Sequence, residues 1–332
     1  MTTPLVDGFG RVQSDLRISV TDRCNLRCTY CMPEDGLPWI DRAEVLSFEE
    51  IERVVSLMAQ RLGLRSVRLT GGEPTVRHDL HELVRRLAAV EGPAGRLDLA
   101  MTTNGVTLGR DAKRLRAAGL QRINISLDTL RPERFVAMTR RDELDRVLDG
   151  IDAAVAAGFE PVKVNAVVQS GVNDDELVEL ARFGRQRGVE MRFIEFMPLD
   201  ADGRWERGDV VAKQQIVERI AAHFPVRALE RTHAPADRFE YLDGAGSFGV
   251  IASVTEAFCG SCDRLRLSSE GTLRNCLYAL EEYDLRAALR ADADDDELSE
   301  IITRCVAHKW AGHAIGQVHF IRPFRSMSQL GG

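Results

Sequence analysis

The sequence lacks any apolar run long enough to cross a bilayer, and its opening, MTTPLVDGFGRVQSDL, has no apolar signal core. Those absences exclude a helical membrane protein and predict a soluble, cytoplasmic chain with no membrane partner. Positive charge is also in short supply. The 44 Lys and Arg stand against 51 Asp and Glu, a formal net charge of -7, which argues against a broad basic surface and a nucleic-acid partner. It leaves room for a local pocket of arginines. No low-complexity tract is present, and 44% hydrophobic with 29% charged residues is ordinary globular composition, excluding a disordered or fibrous chain. At 332 residues the chain can form one large domain with an appendage, or two domains.

The seven cysteines do not make an even disulfide framework; they fall into two triplets and a leftover, Cys305. Cys24, Cys28 and Cys31 lie in CNLRCTYC, a short loop whose spacing can wrap a cube-shaped iron-sulfur cluster. Three thiolates hold three irons, and the fourth iron faces a substrate. A zinc knot is the alternative, but it wants four ligands and the nearest histidine is His78. Cys259 and Cys262 form the second group with Cys276, reached through a hairpin at Glu270-Gly271. On spacing alone a structural zinc site of three cysteines and a histidine stays open there.

Leu16 to Val20 alternates apolar and polar residues and leads into the first cysteine loop, as a barrel strand leads into a catalytic loop. Ser47 and Glu50 form a capping box that opens a helix running to Leu62. A strand, Ser66 to Thr70, ends in Gly71-Gly72-Glu73-Pro74, whose glycines permit unusual backbone conformations and clear space for a ligand. Helices and strands then alternate through the strand Glu190 to Phe196. Six such strands predict an α/β fold, a partial and open six-stranded βα barrel of the TIM type with ligands at the C-terminal strand ends. Cys24, Gly72, Thr102, Ser126, Lys163 and the Arg192 to Met197 segment all fall on or just after successive strands. After Leu199 the rhythm stops, which places a barrel at 1–198, a connecting segment at 199–245 and a C-terminal domain at 246–332. In that domain Arg264 and Arg266 share one face of a strand, where two forked guanidinium groups can clamp phosphate oxygens; the bland alternative is a charged outer face. Arg17 belongs to a strand that should be buried, where an unpaired arginine is costly. Cys305, on a late helix from Asp294 to His308, reads as buried filler.

In combination, CNLRCTYC, Gly71-Gly72-Glu73-Pro74, and Cys259 and Cys262 with Cys276 resemble the radical S-adenosylmethionine (SAM) enzymes. Within them the similarity is to the GTP 3',8-cyclases that open molybdenum cofactor biosynthesis, and it runs from Leu16 to Gly332. The resemblance implies two [4Fe-4S] clusters, one on each cysteine triplet, the second in the C-terminal domain, and SAM contacted by Tyr30, Gly72, Ser126 and Met197. It implies a GTP pocket of Arg17, Arg68, Thr102, Lys163, Arg192, Arg264, Leu265 and Arg266. The Gly331-Gly332 tail would enter the active site and act there with Arg17, Arg264 and Arg266. The implied reaction is that of a lyase: a radical derived from SAM takes hydrogen from C3' of GTP, and that carbon joins C8 to give (8S)-3',8-cyclo-7,8-dihydroguanosine 5'-triphosphate. An electron donor and a downstream molybdenum cofactor enzyme are the implied partners, and a homodimer is compatible with the sequence. Two rivals remain at this point: a radical SAM peptide-modifying enzyme with an auxiliary cluster, and a non-catalytic zinc or iron-sulfur module that binds partner proteins. Metal analysis of anaerobically prepared protein separates them in part, with about eight irons and a brown colour expected for two clusters and a colourless product for a zinc module.

Overall fold

The protein is described by a computed structural model over residues 3–200, 202–315 and 320–331. The alternation at Leu16 to Val20 produces β1 (Asp15–Ser19), with Leu16 and Ile18 in the hydrophobic core and Arg17 on the opposite face. The same pattern builds β2 (Ser66–Thr70) and, after a short hairpin β3–β4 (Glu91–Gly92 and Gly95–Arg96), β5 (Asp98–Thr103), β6 (Arg122–Ser126), β7 (Val162–Val168) and β8 (Glu190–Glu195).

Helices α1 (Phe48–Arg61), α2 (Leu80–Ala88), α3 (Leu108–Ala117), α4 (Pro132–Thr139), α5 (Leu144–Ala156) and α6 (Leu177–Arg187) fill the connections. Helix α1 begins at the expected capping box: Glu50 N donates to Ser47 Oγ at 3.1 Å and Ser47 N donates to Glu50 Oε2 at 2.7 Å. Its apolar stripe of Ile51, Val54, Val55 and Met58 is buried in the same core as Leu16 and Ile18.

β1, β2, β5, β6, β7 and β8 are successive parallel neighbours, the six-stranded open βα arrangement that the alternation predicts. The rest of the chain adds to this sheet at both edges. β9 (Val226–Ala228), β10 (Asp237–Tyr241) and β11 (Ser247–Ile251) continue from β8, and β11 runs parallel to it. β12 (Arg264–Leu267), β13 (Thr272–Arg274) and β14 (Tyr283–Asp284) continue from β1, and β12 runs parallel to that strand. The product is one twelve-stranded sheet whose two ends do not pair among the described residues. Helices α7 (Lys213–Ala221), α8 (Leu285–Arg290), α9 (Asp295–Ala307) and the short α10 (Met327–Leu330) complete the chain. Cys305 is fully buried in the core. Among the described residues no helix is long and apolar enough to cross a membrane.

A buried carboxylate fastens the later segments to the sheet. Glu195, at the end of β8, accepts from Lys213 N at 2.9 Å, from Val254 N and Thr255 N at 2.8 Å each, and from Thr255 Oγ1 at 2.5 Å. It thereby satisfies the first turn of α7 and the loop that leads toward the second cysteine group. Glu195→Ala leaves those donors without an acceptor in a dry site. The expected loss is about 3 kcal/mol, read as a lowered denaturant midpoint, and an unchanged midpoint would show that the carboxylate is dispensable.

Candidate active site

The first cysteine loop leaves the C-terminal end of β1 and is held by the end of β2. Gly72 N donates to Thr21 O and Glu73 N to Arg23 O, both at 2.8 Å. A Cβ on Gly72 would lie 2.4 Å from Arg23 O and 2.6 Å from Asp22 O, so the glycine is required by the backbone of the cysteine loop itself. This local crowding is a stronger reason for the glycine than the ligand space inferred from sequence. Glu73 is buried and accepts from Thr75 Oγ1, Thr103 Oγ1 and Asn104 N at 2.6 Å each. Burial pushes its carboxyl up, and these donors pull it back. Asn104 Nδ2 in turn donates to Asn25 Oδ1 at 2.7 Å and approaches Cys24 Sγ at 3.9 Å. Tyr30, between the second and third cysteines, donates its hydroxyl to Asp128 Oδ2 at 2.6 Å. Asp128 also accepts from Val167 N at 2.8 Å, and burial pushes its carboxyl up to about 6 against those hydrogen bonds.

Because β12 runs parallel to β1, Cys259 and Cys262, which precede β12, sit at the opposite end of the strands from the Cys24 loop. The antiparallel β13 brings Cys276 back to that same end. At about 3.3 Å per residue, five-residue strands separate the two groups by about 15 Å. Within each triplet the thiols perturb one another. Burial, with Cys24 nearby, pushes Cys31 up to about 12; burial, with Cys276 and Cys262 nearby, raises Cys259. Yet no three His, Cys, Asp or Glu among the described residues converge closely enough to hold a single metal ion. Three neighbouring thiols fit a multi-iron cluster, in which each thiolate binds a different iron. Cys262 differs from the others: burial pushes its thiol up, but Arg264 and Lys309 more than offset this and bring it to about 7.

Between the two thiol groups lies a row of cations. In register, Arg266 of β12 stands beside Arg17 of β1, and Arg17 beside Arg68 of β2. Arg17 therefore lies directly beside the Arg264–Arg266 strand. Like charges side by side on adjacent strands repel. Burial, with Arg264 nearby, pulls Arg17 down to about 10; burial, with Arg17 nearby, pulls Arg68 down to about 9. Lys163 falls to about 8 through burial and the adjacent Arg192. Among the described residues none of Arg17, Arg68, Lys163, Arg264 and Arg266 makes an ion pair, and the Nε atoms of Arg17 and Arg68 are buried without a hydrogen-bond partner. Two neighbouring arginines are different, since Arg122 pairs with Asp98 and Arg192 with Glu190 at 2.8 Å.

Thr102 and Ser126 alternate onto the same interior face as Lys163, Ser126 at the end of β6. Leu265 does not. It turns to the other side of β12 and is buried in the core, so its side chain is directed away from the row of cations.

The C-terminal tail closes one side of this space. Arg266 Nη1 donates to Leu330 O at 3.0 Å and to Gly331 O at 2.5 Å. Gly331 has φ +69°, and a Cβ there would lie 2.3 Å from Thr70 Oγ1, which only glycine avoids. Ser328 lies near enough to Cys31 to oppose the upward push on its thiol, and Leu330 packs with Leu199, Tyr278 and Met197. Gly332 lies outside the described residues. Sequence reasoning missed Asp128, Lys309 and Ser328, single polar residues outside any spaced motif; Glu73 was visible only as a letter in a glycine turn.

The family described as the Radical SAM superfamily matches residues 18–184, and Molybdenum Cofactor Synthesis C matches residues 189–315. In fold the chain is similar to anSMEcpe with bound AdoMet, with a TM-score of 0.59 at 16% identity over 82% of this chain and 74% of that one. It is also similar to Streptococcus suis SuiB bound to S-adenosylmethionine, with a TM-score of 0.58 at 13% identity over 88% of this chain and 68% of that one. In sequence it is 48% identical to a GTP 3',8-cyclase of Rhodopirellula baltica over 100% of this chain and 94% of the relative. A GTP 3',8-cyclase of Streptomyces coelicolor is also 48% identical, over 99% of this chain and 96% of its own length. Likeness at that level runs along the whole chain, and the chain belongs to the GTP 3',8-cyclase family of radical SAM enzymes.

Proposed function

We propose that this chain performs the reaction for which its family is named, cyclising GTP to (8S)-3',8-cyclo-7,8-dihydroguanosine 5'-triphosphate with SAM, at the entry to molybdenum cofactor biosynthesis. The observation that carries the reading is the unpaired row of interior cations between two thiol triplets. A triphosphate removes the repulsion among Arg17, Arg68, Lys163, Arg264 and Arg266 and supplies acceptors to the orphaned Nε atoms. A peptide substrate has no such need, and a partner-binding module would not enclose its cations.

Cys24, Cys28 and Cys31 would hold one cluster, which together with SAM would supply the one-electron chemistry for hydrogen removal at C3' of GTP, and Cys259, Cys262 and Cys276 would hold a second. The chain's own residues contribute position. The arginines hold the triphosphate away from the reacting atoms and fix the ribose and base in one orientation, which is where selectivity between C3' and its neighbours arises. Arg266 joins two tasks, since one of its nitrogens holds the tail at Leu330 and Gly331 and its remaining N–H groups are left for phosphate. Tyr30, Gly72, Ser126 and Met197 border the SAM end, and Thr102 lies beside the phosphate row. The assigned division keeps 1–198 for the SAM barrel, 199–245 as connection and 246–332 for the second cluster. On the same reading the enzyme is cytoplasmic, draws electrons from a separate donor, passes its product to a later enzyme of the pathway, and has a homodimer as the assembly to test.

Anaerobic incubation of reconstituted, reduced protein with SAM and GTP should yield 5'-deoxyadenosine and the cyclic product, both followed by mass spectrometry. Arg266→Ala should weaken GTP binding about 10- to 100-fold, the equivalent of one lost charge-assisted hydrogen bond, and keep uncoupled 5'-deoxyadenosine release. Undiminished GTP affinity in that variant would overturn the triphosphate assignment.

The depressed Lys163 gives the site a pH dependence. Below about 8 the ammonium is charged, and a bound anion raises its pKa, so affinity is full below pH 8 and falls as pH rises through that value. Calorimetric titrations at pH 7 and pH 9 should show weaker GTP binding at the higher pH, with the slope reduced in Lys163→Met. Equal slopes in both proteins would remove Lys163 from the site.

A further inference from the structure

The second thiol loop is braced by a buried polar network that the reaction described above leaves unused. Asp7 Oδ2 accepts from Arg11 Nε at 2.6 Å and from Gln13 Nε2 at 3.1 Å. Arg11 Nη1 donates to Cys259 O at 2.7 Å and Ala311 O at 2.8 Å, and Gln13 Nε2 reaches Cys262 O at 3.4 Å. Lys309, just past α9 and only 4% exposed, closes the network. Its Nζ donates to Gln13 Oε1, to Arg264 O at 2.8 Å and to Cys262 Sγ at 3.7 Å.

A buried ammonium needs a negative partner, and among the described residues no carboxylate pairs with Lys309. The candidate anion is the Cys262 sulfur. Arg264 adds a second cationic donor to the same sulfur, Nη2 to Sγ at 3.4 Å. At the first triplet the described hydrogen-bond donors to sulfur are both neutral, Leu26 N and Asn104 Nδ2 on Cys24. The two groups have the same number of thiols, but only Cys262 receives cationic donors. Positive charge and hydrogen bonds at cluster sulfurs favour the more negative, reduced state.

We propose that Lys309 is a positioning residue for the second cluster, orienting Cys262 through the Gln13–Arg264 bridge and raising the reduction potential of that cluster above the value it would have beside a neutral side chain. The proposal rests on the two-cluster reading, and the test keeps the two apart. Full-length protein and its Lys309→Met and Lys309→Arg variants are reconstituted anaerobically, assayed for iron, and titrated against potential by electron paramagnetic resonance, with SAM added to mark the signal of the first cluster.

Lys309→Met should retain iron and lower the potential of the second cluster by about 59 mV or more, a tenfold change in a one-electron equilibrium, while the first cluster stays put. Lys309→Arg, which keeps the charge, should recover most of the shift. An iron-replete Lys309→Met protein with an unmoved potential overturns the proposal, as does an equal shift in Lys309→Arg. If Lys309→Met does not hold its second cluster, Lys309→Gln, which keeps a hydrogen-bonding end without charge, gives the same reading; loss of the cluster in both makes the residue purely structural and also overturns the proposal. Unsubstituted protein with only about four irons overturns the two-cluster reading itself.

Discussion

Arg266, Arg17 and Arg68 stand side by side on three adjacent strands, and without a counter-ion the folded interior carries their mutual repulsion as a standing cost. The rest of the molecule makes that cost tolerable. On the opposite face of the same strands, Leu265, Leu267, Leu16, Ile18, Val67 and Leu69 are all buried in a continuous apolar core. The sheet therefore has one face that drives folding and one face that carries uncompensated positive charge. Two neighbouring arginines are already neutralised, Arg122 by Asp98 and Arg192 by Glu190.

Position along the strands then separates the chemistry. The Cys24 loop leaves one end, the Cys259–Cys262 turn enters at the other, and the cations occupy the span between them. The tail, anchored by Arg266 at Gly331 with Ser328 close to Cys31, links the cation row to the first thiol loop.

Much of this was legible from local pattern. Period-two alternation placed Leu16 and Arg17 on opposite faces of β1, the Ser47–Glu50 box fixed the start of α1, and the spacing of the first three thiols pointed to a cluster. What was not legible is neighbourhood. Alternation says which face Arg17 occupies but not that Arg266 lies beside it, because that pairing depends on residues far along the chain. The same limit hid the addition of β11 and β12 to the sheet edges, the bridge from Lys309 to Gln13, and the reason for Gly72, whose missing Cβ makes room for a loop some fifty residues earlier. Leu265 shows the converse: motif likeness put it in the pocket, while the period of its own strand turns its side chain into the core.

The edge strands have a consequence for how the protein is made. β1 emerges early from the ribosome, yet its partner β12 comes near the end; Gln13 and Cys262, which meet in the finished molecule, are 249 residues apart. Until then both margins of the six-stranded half present unpaired backbone, the form in which sheets join the wrong chain. Contacts of such long sequence separation form slowly. The interior is thus sealed last, by the segment that also brings the second set of thiols, so a chain stalled during synthesis would expose sticky edges and lack half of its metal-binding groups at the same moment.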